Sequence, residues 1–215
     1  PATKDISAYR WWSEALHGYS KGTGSSNSVS YPQNLSAGST WNPDLYYRQA
    51  VQISDEIRER TSTNGLGNAI DLCFYSPTIN MQRDPRWGRN EEAFSEDVLL
   101  NSVMGAQFVL GMEGKDQEGN LLDPDGYLKA LTTIKHYTAN NSERNRLDGG
   151  ATTDLRALRE YYTAPYRNVI KAADVASVMT AYSTVNGEPA SMSSYLMDTL
   201  LRQTWGFGGY ITSDC

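Results

Sequence analysis

Mostly apolar runs at Ala69–Tyr75, Leu128–Tyr137, Asp174–Tyr182 and Gly208–Cys215 are separated by segments whose apolar residues recur at helical spacing. Alternation of that kind restricts the chain to parallel strands joined by crossover helices. The unusual polar groups fall where strands end. Arg89 follows the first run, Lys135-His136 closes the second, Tyr182 the third and Asp214 the last. An open doubly wound sheet fans such ends apart, whereas a (β/α) barrel gathers them at one mouth. With roughly five strand candidates where a closed barrel has eight, the chain reads as α/β, a partial (β/α)8 TIM-like barrel truncated at both ends.

The first helix starts at an Asn42 N-cap with Pro43 in its first turn, carries Tyr46, Ala50, Ile53 and Ile57 on one face, and stops at the Asn64-Gly65 breaker. A second, capped by Ser95-Glu96-Asp97, carries Leu100, Val103, Met104 and Phe108 and runs out at Gly111 to Gly114. The third begins near Thr153-Asp154, with Leu155, Leu158, Tyr162, Tyr166, Val169 and Ile170 facing inward. Pro165 is expected to kink or split it. Ser194 caps a fourth with Met197, Leu200 and Leu201, closed by Gly206. Residues 19–40, 115–127, 138–153 and 183–193 read as loops.

Composition removes several classes of partner. A net charge of −6 opposes nucleic acid, whose phosphates demand a basic footprint, and opposes an anionic membrane surface as well. No apolar run is long enough to span a bilayer. Two cysteines and two histidines are too few for a zinc cage or a disulfide framework, and Cys73, inside an apolar run, reads as a buried thiol. Fourteen tyrosines suit either a core or the apolar C–H faces of a pyranose.

The stretch from Phe74 to Asp97 places Arg83, Arg86 and Arg89 among Asp84-Pro85, Trp87 and Gly88, a pattern that neither a helix nor a strand would choose. Their forked donors suit carboxylates or sugar hydroxyls. They can also pair within the loop, with Asp84, Glu91, Glu92 and Asp97. Internal pairing and ligand binding stand level for Arg83 and Arg86.

The segments Trp11-Trp-Ser-Glu-Ala-Leu-His-Gly18, Ser76-Pro77 with Asn80, Arg83-Asp-Pro-Arg-Trp-Gly-Arg89 with Glu92, Lys135-His136, Leu158-Arg-Glu-Tyr161, Ala181-Tyr182 and Trp205-Gly-Phe-Gly-Gly-Tyr-Ile-Thr-Ser-Asp214 occur in this order along the whole chain. Together they resemble glycoside hydrolase family 3, of the β-glucosidase or β-xylosidase type. The resemblance tilts Arg89 toward a ligand. It implies that residues 1–215 are part of a TIM-barrel-like catalytic domain whose second α/β sandwich domain lies outside this chain. It also implies a retaining, exo-acting β-glycosidase that removes a terminal glucosyl or xylosyl residue and needs neither cofactor nor metal.

By the same resemblance Asp214 corresponds to the nucleophile, and Arg89, Lys135, His136, Tyr182 and Glu14 to residues around the terminal sugar. A retaining glycosidase needs one carboxylate beneath the anomeric carbon and a carboxylic acid above the leaving oxygen, about 5–5.5 Å away. Arg89 and Lys135, with His136 as a third candidate cation, would favour the charged form of Asp214. Glu14 has a plainer role open to it, pairing with Arg10. The loop Lys135-His-Tyr-Thr-Ala-Asn-Asn141 departs from the family's N-acetylhexosaminidase branch, which carries its acid there, so the acid/base glutamate is expected from the C-terminal sandwich domain. Partners are therefore the oligosaccharide or β-glycoside and the remainder of the barrel. The alternative is a catalytically incomplete sugar-binding or scaffold fragment.

Overall fold

The computed structural model describes residues 9–20, 27–63 and 70–215. Its strands are β1 (Tyr9–Arg10), β2 (Ile70–Asp71), β3 (Cys73–Phe74), β4 (Leu131–Tyr137), β5 (Gly150–Ala151), β6 (Ser177–Thr180), β7 (Thr184–Val185), β8 (Glu188–Pro189) and β9 (Tyr210–Ser213). The helices are α1 (Asn34–Ser39), α2 (Pro43–Thr63), α3 (Val98–Glu113), α4 (Leu155–Ala157) and α5 (Ala164–Ala173), with wider i→i+5 turns at Leu158–Tyr162 and Tyr195–Thr204.

The central sheet runs β3-β4-β6-β9, every pair parallel. β1 pairs in parallel with β2, and Ser13 continues that edge onto β3 through Ser13 N–H to Cys73 C=O at 3.2 Å and Tyr75 N–H to Ser13 C=O at 2.9 Å. Among the described residues the strands of this sheet follow chain order, without the reversal of a doubly wound switch point.

The sheet is strongly curved. The Tyr210 hydroxyl on β9 lies 2.7 Å from Cys73 Sγ on β3 and 3.4 Å from Thr133 Oγ1 on β4. Three strand spacings measure roughly 14 Å on a flat sheet, more than a tyrosine, a cysteine and one hydrogen bond span together. The Trp11 ring, just after β1, sits edge-on to Tyr210 with centroids 6.2 Å apart.

α2 packs on α3 and α3 on α5. Asn42 caps α2 by accepting from Leu45 N–H at 3.0 Å, and Tyr46, Ala50, Ile53 and Ile57 are buried as their spacing predicts. Asp97 caps α3 by accepting from Leu100 N–H. A Cβ at Gly111 would stand 2.7 Å from Tyr47 C=O, so glycine there lets α2 and α3 approach closely. The expected third helix divides before Pro165, with α4, its wide turn and α5 as separate pieces.

Other boundaries differ from the sequence reading. Residues 19–40 contain α1, held by its own Asn34, which donates to Glu92 C=O at 2.8 Å and accepts from the Tyr46 hydroxyl at 2.7 Å. Leu155 is 59% exposed and Val103 36%, because the described neighbours cover only the opposite faces of their helices. The strand runs shorten to β4 and β6. Residues 183–193 fold into the β7–β8 hairpin, which joins β5 in a small second sheet. Ser194 makes no capping bond, whereas Ser193 Oγ accepts from Leu196 N–H at 3.4 Å. Lys115, expected in a surface loop, is buried. Asn64-Gly65 and Ala69 lie outside the described residues.

Candidate active site

The C-terminal ends of β3, β4 and β9 place their polar groups near one another. β4 is buried along almost its whole length, and Lys135 and His136 lie near its C-terminal end, where the register against β6 shifts between Ile134 and Tyr137. Lys135 Nζ donates to Glu14 Oε1 at 2.9 Å, and Ser76 Oγ, after β3, donates to Glu14 Oε2 at 3.1 Å. Glu14 therefore pairs with Lys135 of β4, and the plain Arg10 pairing is set aside.

Arg89 makes the pairing that the loop itself offers. Its Nε and Nη2 both donate to the Glu92 carboxylate at 2.7 Å, and Thr78 Oγ1 donates to Glu92 Oε2 at 3.2 Å. Burial pushes the Glu92 carboxyl up, but the hydrogen bonds and charge of Arg89, with Lys135 and Thr78 behind them, hold it below the usual range. Arg89 nonetheless faces the open space. With Glu14, His17, Ser20, Glu92 and Lys135 it lines a cleft of about 290 Å³, close to the lower limit for a ligand pocket. Internal pairing and exposure to a ligand are compatible here.

His136 and Asp214 meet beside that cleft, outside its lining. His136 Nε2 lies 3.7 Å from Asp214 Oδ2, and the two side chains are 2% and 10% exposed. Burial, then the charges of Lys135, Arg89 and Arg146, push the His136 imidazole well below its ordinary pKa. His136 is therefore neutral near pH 7, contrary to its reading as a third cation. Asp214 Oδ1 accepts from Cys215 N–H at 2.9 Å, while its Oδ2 is buried without a hydrogen-bond partner. Both Arg89 and Tyr182 feel the Asp214 charge.

Of the other two arginines, Arg86 pairs within the loop and Arg83 faces an aromatic ring outside it. Arg86 forms a fork with Asp84 at 2.9 and 2.6 Å, and Arg83 lies 5.9 Å from the centre of the Tyr162 ring. Tyr182 donates its hydroxyl to the Cys215 carbonyl and carries the Arg146 guanidinium 5.1 Å above its ring.

Two supports escaped sequence reasoning. Glu143 accepts from Trp87 Nε1 at 2.9 Å and from Arg146 Nη1 at 3.0 Å, so it ties the loop after β4 to the arginine loop. Asn80 grips His136 from both sides of its main chain. Both residues stood within segments already noted, but nothing in their spacing announced these partners. Among the described residues no group of histidine, cysteine and carboxylate side chains could hold a metal ion, and no helix is long and apolar enough to cross a membrane.

A model described as the glycosyl hydrolase family 3 N terminal domain matches residues 9–215. The chain belongs to glycosyl hydrolase family 3. It is 37% identical to the exo-1,4-beta-xylosidase xlnD of Aspergillus niger over 98% of its length and 26% of that protein. To beta-D-xylosidase 3 of Arabidopsis thaliana it is 34% identical, over 98% of its length and 27% of the relative. Among solved structures, a family 3 exo-beta-xylosidase in complex with a xylobiose aziridine probe superposes with a TM-score of 0.85 at 34% identity, covering 96% of this chain and 27% of that one. Beta-glucosidase 3B from Thermotoga neapolitana in complex with glucose gives 0.80 at 28%, over 94% and 26%. The chain thus spans about a quarter of the length of these family 3 relatives.

Proposed function

We propose that this chain is the sugar-reading part of a retaining, exo-acting β-glycosidase that releases a terminal xylosyl or glucosyl residue. The observation that carries the reading is the convergence of Glu14–Lys135, Arg89–Glu92 and His136–Asp214 at the ends of successive parallel strands. Fixed donors and acceptors of both signs around a small cleft suit a ring of hydroxyls better than a phosphate or an apolar ligand. The greater identity to β-xylosidases favours the xyloside.

Asp214 is the proposed nucleophile. Its carboxylate oxygen bonds to the anomeric carbon as the glycosidic C–O bond breaks, and the leaving oxygen takes a proton from a general acid. Water then cleaves the glycosyl ester with retention. Glu14, Arg89, Lys135, His136 and Tyr182 orient the sugar. Glu92 is unsuited to the acid's role, because an acid must hold its proton and Arg89 keeps Glu92 ionised. By its resemblance to the other family 3 enzymes, a second domain is the proposed source of the acid. The sequential strand order and the Trp11–Tyr210 contact across the curved sheet support residues 1–215 as part of a TIM-like barrel.

The test is to treat the complete protein with activated 2-fluoro xyloside and glucoside and to map the label by peptide mass. Label on Asp214 is expected, faster with the xyloside. Label on any other acid removes the assignment, and turnover of neither sugar leaves only a sugar-binding scaffold.

A further inference from the structure

The contacts of Asn80 define which way the His136 ring faces a ligand. Asn80 Oδ1 accepts from His136 main-chain N–H at 2.7 Å, and Asn80 Nδ2 donates to His136 C=O at 3.0 Å. Those two bonds have opposite polarity, so they fix the amide: Oδ1 is the acceptor end and cannot be exchanged with Nδ2. The same Oδ1 lies 3.0 Å from His136 Nδ1. Two lone pairs do not face each other at that distance, so Nδ1 carries the proton and donates it to Oδ1. The imidazole is neutral, and its Nε2 is then a bare lone pair.

His136 Nε2 lies 3.7 Å from Asp214 Oδ2, another acceptor. Two acceptors make no hydrogen bond, which accounts for the buried, unpartnered Oδ2. We propose that Asn80 is a positioning residue which locks His136 in the Nδ1–H form, so that His136 Nε2 reads a substrate hydroxyl as an acceptor and the hydroxyl is the donor. Specificity at that position then requires a group that gives a proton, and a group that only receives one is rejected.

This inference rests on the proposed glycosidase reading, and its test separates the two. Competitive inhibition of the complete protein is measured with xylose and glucose, their monodeoxy forms and the matching monodeoxyfluoro forms. Inhibition constants are preferred to turnover because fluorine also disfavours the cationic transition state. The hydroxyl read by His136 is the one whose deoxy penalty, about tenfold for a lost hydrogen bond to a buried acceptor, vanishes in His136→Ala.

At that position fluorine, which accepts and cannot donate, is expected to inhibit as weakly as hydrogen. A deoxyfluoro sugar that regains most of the parent's inhibition makes His136 the donor and overturns the proposal, as does a panel in which no deoxy penalty responds to His136→Ala. The wild-type comparison of hydrogen with fluorine stands even where Asn80 variants do not fold. Where Asn80→Ala does fold, the ring is free to change tautomer, and fluorine should regain several-fold over hydrogen; a merely structural Asn80 would weaken all three sugars alike. Failure of every sugar to inhibit sinks the glycosidase reading and this one with it.

Discussion

At the foot of β4, Glu113 and Lys115 form a charge pair in which every bond is made. Lys115 Nζ donates to Glu113 at 2.9 Å and to the carbonyls of Ala173 and Asp174 at 2.7 and 2.8 Å. Glu113 Oε1 in turn accepts from Thr132 N–H and hydroxyl and from Ala176 N–H. At the head of the same strand the chemistry is similar but incomplete. Among the described residues Lys135 Nζ donates only to Glu14, and Asp214 Oδ2 has no partner. The closed pair joins α3, β4 and the chain entering β6. The open cluster leaves hydrogen-bonding capacity that the described residues do not use. On the proposed reading, burial of charge does two jobs in this domain, and the count of unmade bonds distinguishes them.

The largest expected difference lies in Asp214→Asn. If the head is functional, kcat for an aryl β-xyloside should fall on the order of 10⁴-fold in the complete protein. The melting temperature should stay put, because Oδ2 makes no bond and the amide oxygen can still accept from Cys215 N–H. A variant that melts early with kcat intact would make Asp214 structural and dissolve the contrast.

Glu113→Ala probes the foot. It strands a buried ammonium, so destabilisation of about 3–5 kcal/mol is expected with kcat per folded molecule unchanged. The double change Glu113→Leu with Lys115→Met should be far less damaging than Glu113→Ala, because it removes both charges together. Denaturant melts decide this. A double variant as unstable as Glu113→Ala would mean that the pair's bonds, and not an orphaned charge, dominate.

The pH dependence of stability provides a smaller effect of known sign. His136 titrates well below its unfolded value, so the unfolded chain binds the extra proton first as pH falls. Its contribution is complete above the unfolded pKa of about 6.5 and is lost progressively below it. His136→Gln should flatten the decline in melting temperature between pH 7 and 5.5. Glu113, whose carboxyl burial pushes up, acts in the opposite sense, its contribution being lost as pH rises through its window. An unchanged slope in His136→Gln would mean that the ring titrates as it does in water.

The head of the sheet was far more legible in the sequence than the foot. Lys135, His136 and Asp214 each end an apolar run, and a polar residue there has nowhere to go but the rim. Lys115 sits beside Asp116, Glu118 and Gly119, a context that reads as solvated, and it is the Glu113 carboxylate together with main-chain carbonyls from a distant helix end that accommodates it as a buried residue. The face of α2 was legible because Tyr46, Ala50, Ile53 and Ile57 keep helical period. The six residues of α1 were not, because Asn-Leu-Ser-Ala-Gly-Ser has the composition of a loop and its order comes from the bonds of Asn34 to Glu92 and Tyr46. The charge of His136 was misjudged for a related reason: its neighbours in sequence say nothing of how completely tertiary packing removes water.

The arginine loop offers the finest version of the contrast, since two forks of nearly equal geometry differ in exposure. The Arg86 side chain is 89% exposed in its pair with Asp84, whereas Arg89 and Glu92 are each 18% exposed. Water competes for the first pair as strongly as Asp84 does, although hydrogen bonds from Arg86 hold the Asp84 carboxyl low. Arg86→Ala should therefore melt like the parent and leave KM unchanged. Arg89→Ala, which leaves the Glu92 carboxyl without its fork in a lined cleft, should raise KM and lower the melting temperature together. A measurable loss of stability in Arg86→Ala would show that the Asp84 turn depends on its fork to aim the loop, and exposure alone would no longer separate the arginines that hold the loop from the one that serves the cleft.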